Sequence, residues 1–413
     1  MAGVVMEPST SKTIVLIGTL DTKGAEVKYV RDRIEDRGHK TLVVDTGVLG
    51  RPSFKPDISR EAVARAAGED LSDLVSRRDT STAVRTMMVG TKEVVRQMYA
   101  DGQLDGVISL GGGKGTAIAT AAMRELPLGV PKVAVCTSAS GDTRRYMGSK
   151  DIIMFPSITD IVGLNRVNRL MLDNAVGAIV GMVETAVEEP SQDKPVASVT
   201  ALGITTPAAM KCKDRLEAQG YEVMVFHTTG VGGQAMEELI AEGLISGVMD
   251  LTTTELMSDL LGSTFVSGPD RLETAGRRGI PQLVGPGGLD MVAYAGRGAV
   301  PDEYRDRLLY DHTPALTVMR TSAEENARAA RVLAEKVNRA TGPVTIAIPT
   351  EGFSAYDQEG ELFWDPEADA VFVETVRQEV REPVQVVLVD AHINDDHFAD
   401  RAAELFLEMM AGM

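Results

Sequence analysis

Between Leu110 and Thr116 the chain reads Leu-Gly-Gly-Gly-Lys-Gly-Thr, directly after the apolar run Val107-Ile108-Ser109-Leu110 and ahead of an Ala-rich stretch from Thr116 to Arg124. A glycine turn that opens a helix presents unpaired N–H donors and the positive end of the helix dipole, which together suit a phosphate. Gly111, Gly112, Gly113 and Gly115 supply backbone, Lys114 a point charge and Thr116 a hydroxyl. The spacing departs from a Walker A motif, because Gly115 separates the lysine from the hydroxyl, and it lacks a full GxGxxG pattern. Phosphate binding and a tight structural turn are both open readings of such a loop.

Two further turns carry matching chemistry. Thr137, Ser138 and Ser140 offer hydroxyls to phosphate oxygens, and beyond Gly141 comes Asp142, which either holds a magnesium ion or caps the segment that follows. In Thr19-Leu20-Asp21-Thr22-Lys23 a cation stands beside hydroxyls, with a helix cap by Asp21 or Thr22 as the alternative. The second half differs: Thr252-Thr253-Thr254-Glu255 replaces Gly-Gly-Gly-Lys, and a carboxylate at a helix start repels phosphate. There His227, Glu255, Asp290, Glu351 and His392 are the candidates for acid/base chemistry if they converge on one pocket, and buried polar groups paired with one another if they do not. No catalytic role is fixed by these spacings. The Ser354 segment lacks the last glycine of a nucleophile elbow, and the five histidines include no HExxH pair. Cys136 and Cys212, the two cysteines, read as reduced, packed thiols.

The elements that must carry these turns repeat. VLIGTLDTKGAEVKYVRDRIEDRGHKTLVVDTGV around Gly18 and VTALGITTPAAMKCKDRLEAQGYEVMVFHTTGV around Gly203 share one design. An apolar strand ends in glycine, and a helix follows with inward positions at i, i+3 and i+7: Val27, Val30, Ile34 in one copy, Ala209, Cys212, Leu216 in the other. Each helix stops at a glycine suited to the left-handed C′ position, Gly38 or Gly220, and a buried strand then ends at Asp45 or His227. Downstream, the stretches from Gly106 and Gly129 parallel those from Gly247 and Gly279. Apolar strands alternating with helices predict an α/β chain of two doubly wound, Rossmann-like parallel-sheet domains related by an internal duplication. The polar, Pro-bearing stretch Glu188 to Pro195 sets domains of 1–192 and 193–413, after a long helix expected from about Asp160 to Val187.

Composition narrows the function. The 413 residues include 42 Lys+Arg against 60 Asp+Glu, a net charge of −18, and no basic stripe, so nucleic acid is an unsuitable partner. The longest uncharged apolar stretch, around Ala175 to Val183, falls well short of a bilayer crossing, and Met1 to Lys12 reads as a frayed tail rather than a signal peptide. A soluble, cytoplasmic protein with no membrane partner is expected.

The motifs GTLDTKG (Gly18 to Gly24), LGGGKGT (Leu110 to Thr116), LPLGVPKVAVCTSASGD (Leu126 to Asp142), FHTTGVGG (Phe226 to Gly233), MDLTTTE (Met249 to Glu255), FWDPEAD (Phe363 to Asp369) and HIND (His392 to Asp395) resemble the Tm-1-like ATP-binding family, UPF0261, over residues 13 to 400. The resemblance implies a two-domain homodimer that binds ATP, with magnesium, in its first domain, the family's glycine motif mapping onto Gly111 to Thr116. Lys114 stands where the family pattern often has a small hydroxyl residue. The expected activity is ATP binding in small-molecule metabolism, with a second polar pocket in the carboxyl-terminal domain. The competing expectation is a non-catalytic, nucleotide-sensing dimer that regulates a protein partner, and a further one puts a phosphorylated metabolite in the glycine loop.

Overall fold

The computed structural model describes residues 11–185 and 194–412. The expected amino-terminal tail up to residue 10 and the expected boundary near residue 192 lie outside the described residues. The chain divides into two compact units that meet in sequence at Glu189 and Pro190.

The first unit runs β1 (Thr13–Gly18), α1 (Gly24–Glu35), β2 (Lys40–Asp45), α2 (Arg60–Ala66), α3 (Leu71–Arg77) and α4 (Thr80–Ala100). It continues through β3 (Gly106–Gly111), α5 (Gly113–Met123), β4 (Lys132–Cys136), α6 (Arg144–Met147), β5 (Ile153–Pro156) and α7 (Arg166–Glu184). All strands pair in parallel, in the order β2-β1-β3-β4-β5. Successive side chains of a strand point to opposite faces. Ile14 and Leu16 of β1 therefore pack with Val27 and Val30 of α1 and Val176 of α7, whereas Val15 and Ile17 pack with Val63, Leu74, Met87 and Ile118 from α2 to α5. Burial on both faces is why these strands read as continuous apolar runs.

Two helix starts differ from expectation. Helix α7 begins at Arg166, not near Asp160, because Gly163 takes a φ of +74° and the Asn165 side chain caps the helix by accepting from the Val167 and Asn168 N–H groups, each at 2.9 Å. Val187, its expected end, lies outside the described residues. Helix α5 begins at Gly113, a turn earlier than the expected start at Thr116, with extended Gly112 as its N-cap.

The second unit runs β6 (Val196–Ala201), α8 (Thr206–Ala218), β7 (Glu222–His227), α9 (Val231–Glu242), β8 (Gly247–Thr252), α10 (Thr254–Leu261), α11 (Thr274–Arg278) and β9 (Gln282–Gly287). Then come β10 (Met291–Tyr294), β11 (Leu309–Thr313), β12 (Leu316–Arg320), α12 (Ala323–Val337), β13 (Val344–Pro349), α13 (Pro366–Glu379), β14 (Gln385–Val389) and α14 (Asp396–Ala411). Its parallel sheet is ordered β7-β6-β8-β9-β13-β14, so β7-β6-β8-β9 repeats β2-β1-β3-β4 of the first unit. Gly38 and Gly220 close the equivalent helices with φ of +86° and +89°, the left-handed conformation that glycine adopts without a Cβ clash. Cys212, Phe398 and Phe406 pack one face of the sheet, and Leu256, Leu333 and Phe372 the other. The antiparallel sheet β10-β12-β11, inserted between β9 and β13, has no counterpart among the described residues of the first unit, and its short, partly polar strands left no clear period in the sequence. Among the described residues no helix is long and apolar enough to cross a membrane.

One buried cation ties this second unit together. Arg271 is almost wholly buried; its Nε donates to Glu255 at 2.6 Å, its Nη1 to Asp250, and its Nη2 to Asp250 at 2.7 Å and to the Thr252 carbonyl at 3.2 Å. Glu237 stands 3.7 Å away and accepts from the Leu272 and Thr274 N–H groups. Strand β8, helices α9 and α10 and the loop before α11 thus meet at one guanidinium. Removing one partner of such a cluster leaves charges buried without compensation. Arg271→Ala is expected to lower unfolding stability of this unit by about 3–5 kcal/mol, read in denaturant through Trp364, the sole tryptophan. Arg277→Ala, which removes exposed pairs to Asp270 and Glu273, is expected to cost no more than about 1 kcal/mol.

Candidate functional site

Reading the first sheet outward from β1, α1 packs on one face and α5, after the adjacent strand β3, on the other. The chain reverses its winding between these strands, so the turns at their carboxyl ends part and leave a crevice. A cavity of about 740 Å³ opens there, lined by Thr19, Asp21, Thr22 and Lys23 after β1, Thr46 to Leu49 after β2, and Gly112 to Gly115 after β3. Its size suits a nucleotide or a comparable metabolite.

The early start of α5 defines the glycine cradle. Gly113, Lys114 and Gly115 form the first turn of the helix, and no side chain caps it. A Cβ at Gly112 would meet no atom within 4 Å, so that position faces open space, whereas a Cβ at Gly111 would lie 2.8 Å from the Thr116 nitrogen. Gly111 thus serves the turn and Gly112 the cradle. Lys114 is exposed and has no ion-pair partner among the described residues. Thr116, expected to offer its hydroxyl to a ligand, is buried and donates it to the Gly111 carbonyl at 3.3 Å.

The neighbouring turns hold the crevice open. Asp21 caps no helix; its carboxylate accepts from the Leu49 and Gly50 N–H groups at 2.9 and 3.1 Å and so pins the turn after β2. Asp45 is fully buried and accepts from Leu20 and Gly47 at 3.0 and 2.9 Å, while burial pushes its carboxyl above the usual range. Thr19 and Thr22 bond to each other at 2.8 Å, and the Lys23 ammonium donates to the Ile161 carbonyl. The opposite wall is apolar, from Leu74, Val75, Ala83, Val84, Met87 and Ile118, with Arg78 at its edge. The sequence pattern did not place this wall; its signals were the Asp79-Thr80-Ser81 cap ahead of α4, where Asp79 accepts from the Ser81 N–H at 2.9 Å, and the inward spacing of Ala83, Met87 and Gly90.

The Thr137 to Asp142 turn does not join this cavity. Thr137 and Ser140 line a separate depression of about 330 Å³ with Ser157, Thr159 and Asp160, and Ser138 and Gly141 close their own turn through a 3.1 Å backbone bond. Asp142, read as either a magnesium ligand or a cap of the next segment, accepts from the Arg144 N–H at 3.1 Å and pairs with the Arg144 guanidinium at 2.9 Å, which holds its carboxyl down at about 2. Among the described residues no group of His, Cys, Asp and Glu is gathered as a metal site.

Nor do the acid/base candidates of the second unit converge. His227 is exposed at the end of edge strand β7, Glu351 is exposed beyond β13, and Glu255 is buried on Arg271 and the Gly230 N–H at 2.6 Å. Only Asp290 and His392 meet, through Ser354: its hydroxyl donates to Asp290 at 2.7 Å, and its carbonyl stands 2.9 Å from Nε2 of His392. Nδ1 of His392 accepts from the Asn394 N–H, so the imidazole is the neutral Nε2–H tautomer. All three are buried, which favours mutual pairing over a substrate pocket. Burial, with the nearby Asp357 carboxylate, pushes Asp290 up to about 7 from its ordinary 3.8. A raised folded-state pKa gives stability that is present below the unfolded value and lost as pH rises through the folded one. Asp290→Asn, a standing copy of the protonated acid, is expected to gain on wild type between pH 3.8 and 7, by at most about 1.4 kcal/mol per pH unit. Parallel pH profiles of the two proteins in Trp364-monitored unfolding would contradict this.

Comparison with known proteins covers both units. Residues 12–188 match the N-terminal domain, and residues 194–410 the C-terminal domain, of the uncharacterised protein family UPF0261. A UPF0261 protein of Clostridium tetani is 44% identical over 401 residues, covering 97% of this chain and 99% of that protein. A UPF0261 protein of Rhizobium meliloti is 41% identical, covering 96% and 99%. The ToMV resistance protein Tm-1 of Solanum lycopersicum is 34% identical over 97% of this chain and 56% of its own length. With both domains matched and relatives this similar along nearly the whole chain, the protein belongs to the UPF0261 family.

Proposed function

We propose that the first unit binds ATP, with magnesium, in the crevice between β1 and β3, and that the protein does so in the cytoplasm as part of small-molecule metabolism. The observation that carries this reading is the uncapped first turn of α5, with Gly112 facing open space and Lys114 without an ion pair, at the mouth of a cavity of nucleotide size. Phosphate oxygens take the free N–H groups of Gly113 to Gly115, Lys114 adds charge, and the purine lies against Leu74, Val84 and Met87. Magnesium travels with the phosphates and needs few protein oxygens.

A second reading, a nucleotide-sensing homodimer that regulates a protein partner, is favoured by one feature. The carboxylates that line the cavity, Asp21 and Asp79, already accept from backbone N–H groups, and Asp45, buried behind them, accepts from two more through Oδ1, which favours binding over base-assisted chemistry at the phosphates.

In calorimetric titration, Lys114→Ala is expected to weaken magnesium ATP binding by about 1.5–3 kcal/mol, the worth of a hydrogen bond to a charged group. Gly113→Asp is expected to abolish it while leaving the fold intact, since a Cβ there meets only the Tyr146 hydroxyl at 3.7 Å. Unchanged affinity in both variants would overturn the site. Phosphate release and oligomer mass, measured with and without magnesium ATP, separate the two roles. Turnover on adding a metabolite is the result expected of the first, and a stabilised dimer without released phosphate is that of the second.

A further inference from the structure

Beside the nucleotide crevice lies a second cavity, of about 930 Å³, which shares the wall residues Val48, Leu49 and Val75 with it. Leu49 is 87% exposed, yet its backbone is pinned by Asp21, so a fixed apolar ridge divides the two spaces. The second cavity's carboxylates are all engaged. Glu61 faces Arg60 at 3.4 Å, Glu69 pairs with Arg77 at 3.0 Å, and Asp70 caps α3 by accepting from the Ser72 N–H at 2.8 Å. Of its cations, Arg60 is turned toward Glu61 and the Gly50 carbonyl, whereas Arg51 and Arg65 make no hydrogen bond or ion pair among the described residues, Arg65 acting on the Asp70 carboxylate only at longer range. A guanidinium presents a planar fork of donors that matches a carboxylate or phosphate.

We infer that this second cavity binds a small oxyanion-bearing molecule on Arg51 and Arg65, side by side with the ligand of the first. The inference rests on the nucleotide reading only for the identity of that neighbour. The shared ligand chemistry is an oxyanion, and the two sources are a phosphate and a polycarboxylate. Wide solvent-facing space, two uncommitted forks and a fixed apolar divider are what a bimolecular site needs to hold two ligands in register.

The test titrates inorganic phosphate and citrate separately into wild type, the double variant Arg51→Ala/Arg65→Ala, and Lys114→Ala, each with and without magnesium ATP. The expected result is that one probe or both bind wild type and Lys114→Ala alike and lose at least tenfold in the double variant, which keeps wild-type affinity for magnesium ATP. The stronger probe identifies the source. Equal probe affinity in wild type and the double variant, no probe binding to wild type at millimolar concentration, or loss in Lys114→Ala alone would overturn the inference. Absence of magnesium ATP binding in every protein would instead strike the nucleotide reading and leave the arginine site standing.

Discussion

The first unit depends on one constraint: the chain reverses its winding between β1 and β3. Parallel strands buried on both faces can offer ligands only their ends, since their sides are committed to hydrogen bonds and helices. Neighbouring strands that send their next helices to the same face close over those ends. Here α1 and α5 leave to opposite faces, and the gap between them is the crevice. The cradle, the apolar wall and the second cavity are arranged around that gap.

The second unit repeats the strand order but carries different groups at the corresponding helix starts. In the first unit, the carboxylate of Asp21 pins the turn after β2, and the first turn of α5 after β3 has no side-chain cap. In the second, Glu255, in the first turn of α10 after β8, accepts from Gly230 ahead of α9 and from Gly233 in its first turn, and Arg271 pairs with it. A Cβ at Gly233 would lie 2.1 Å from that carboxylate, so the glycine is needed for the close approach. The equivalent helix starts, neither of them capped by a side chain, thus differ in the residue they carry: Lys114 is exposed and makes no ion pair among the described residues, whereas Glu255 is buried on Arg271.

Buried ionisable groups in the second unit also show why residue type alone is a poor guide to catalysis. Arg320 donates to Asp369 at 2.8 Å and stands 3.8 Å from Asp357, close to the Asp290–Ser354–His392 chain. These groups join β12, α13 and the loop after β13, and they are costly to bury unless paired. Their polar character reads in sequence as chemistry, and in the fold as cross-bracing.

Much of the architecture was legible before any coordinates. Apolar runs ending in glycine, the inward spacing of Val27, Val30 and Ile34, and the stops at Gly38 and Gly220 are local signals, because strand burial and left-handed caps depend on nearby residues alone. The sign contrast between Lys114 and Glu255 belongs to the same class. What only the tertiary structure decided is which turns share a space. It brings Thr19 to Lys23 to the glycine cradle, leaves Thr137 to Asp142 in a depression of their own, and parts His227 and Glu351 from the buried Asp290 and His392. It also buried Thr116, by starting α5 at Gly113. The physical reason is that a turn's neighbours are set by strand order and by the helix packed behind each strand. Both depend on contacts between residues far apart in the chain, which no local pattern records.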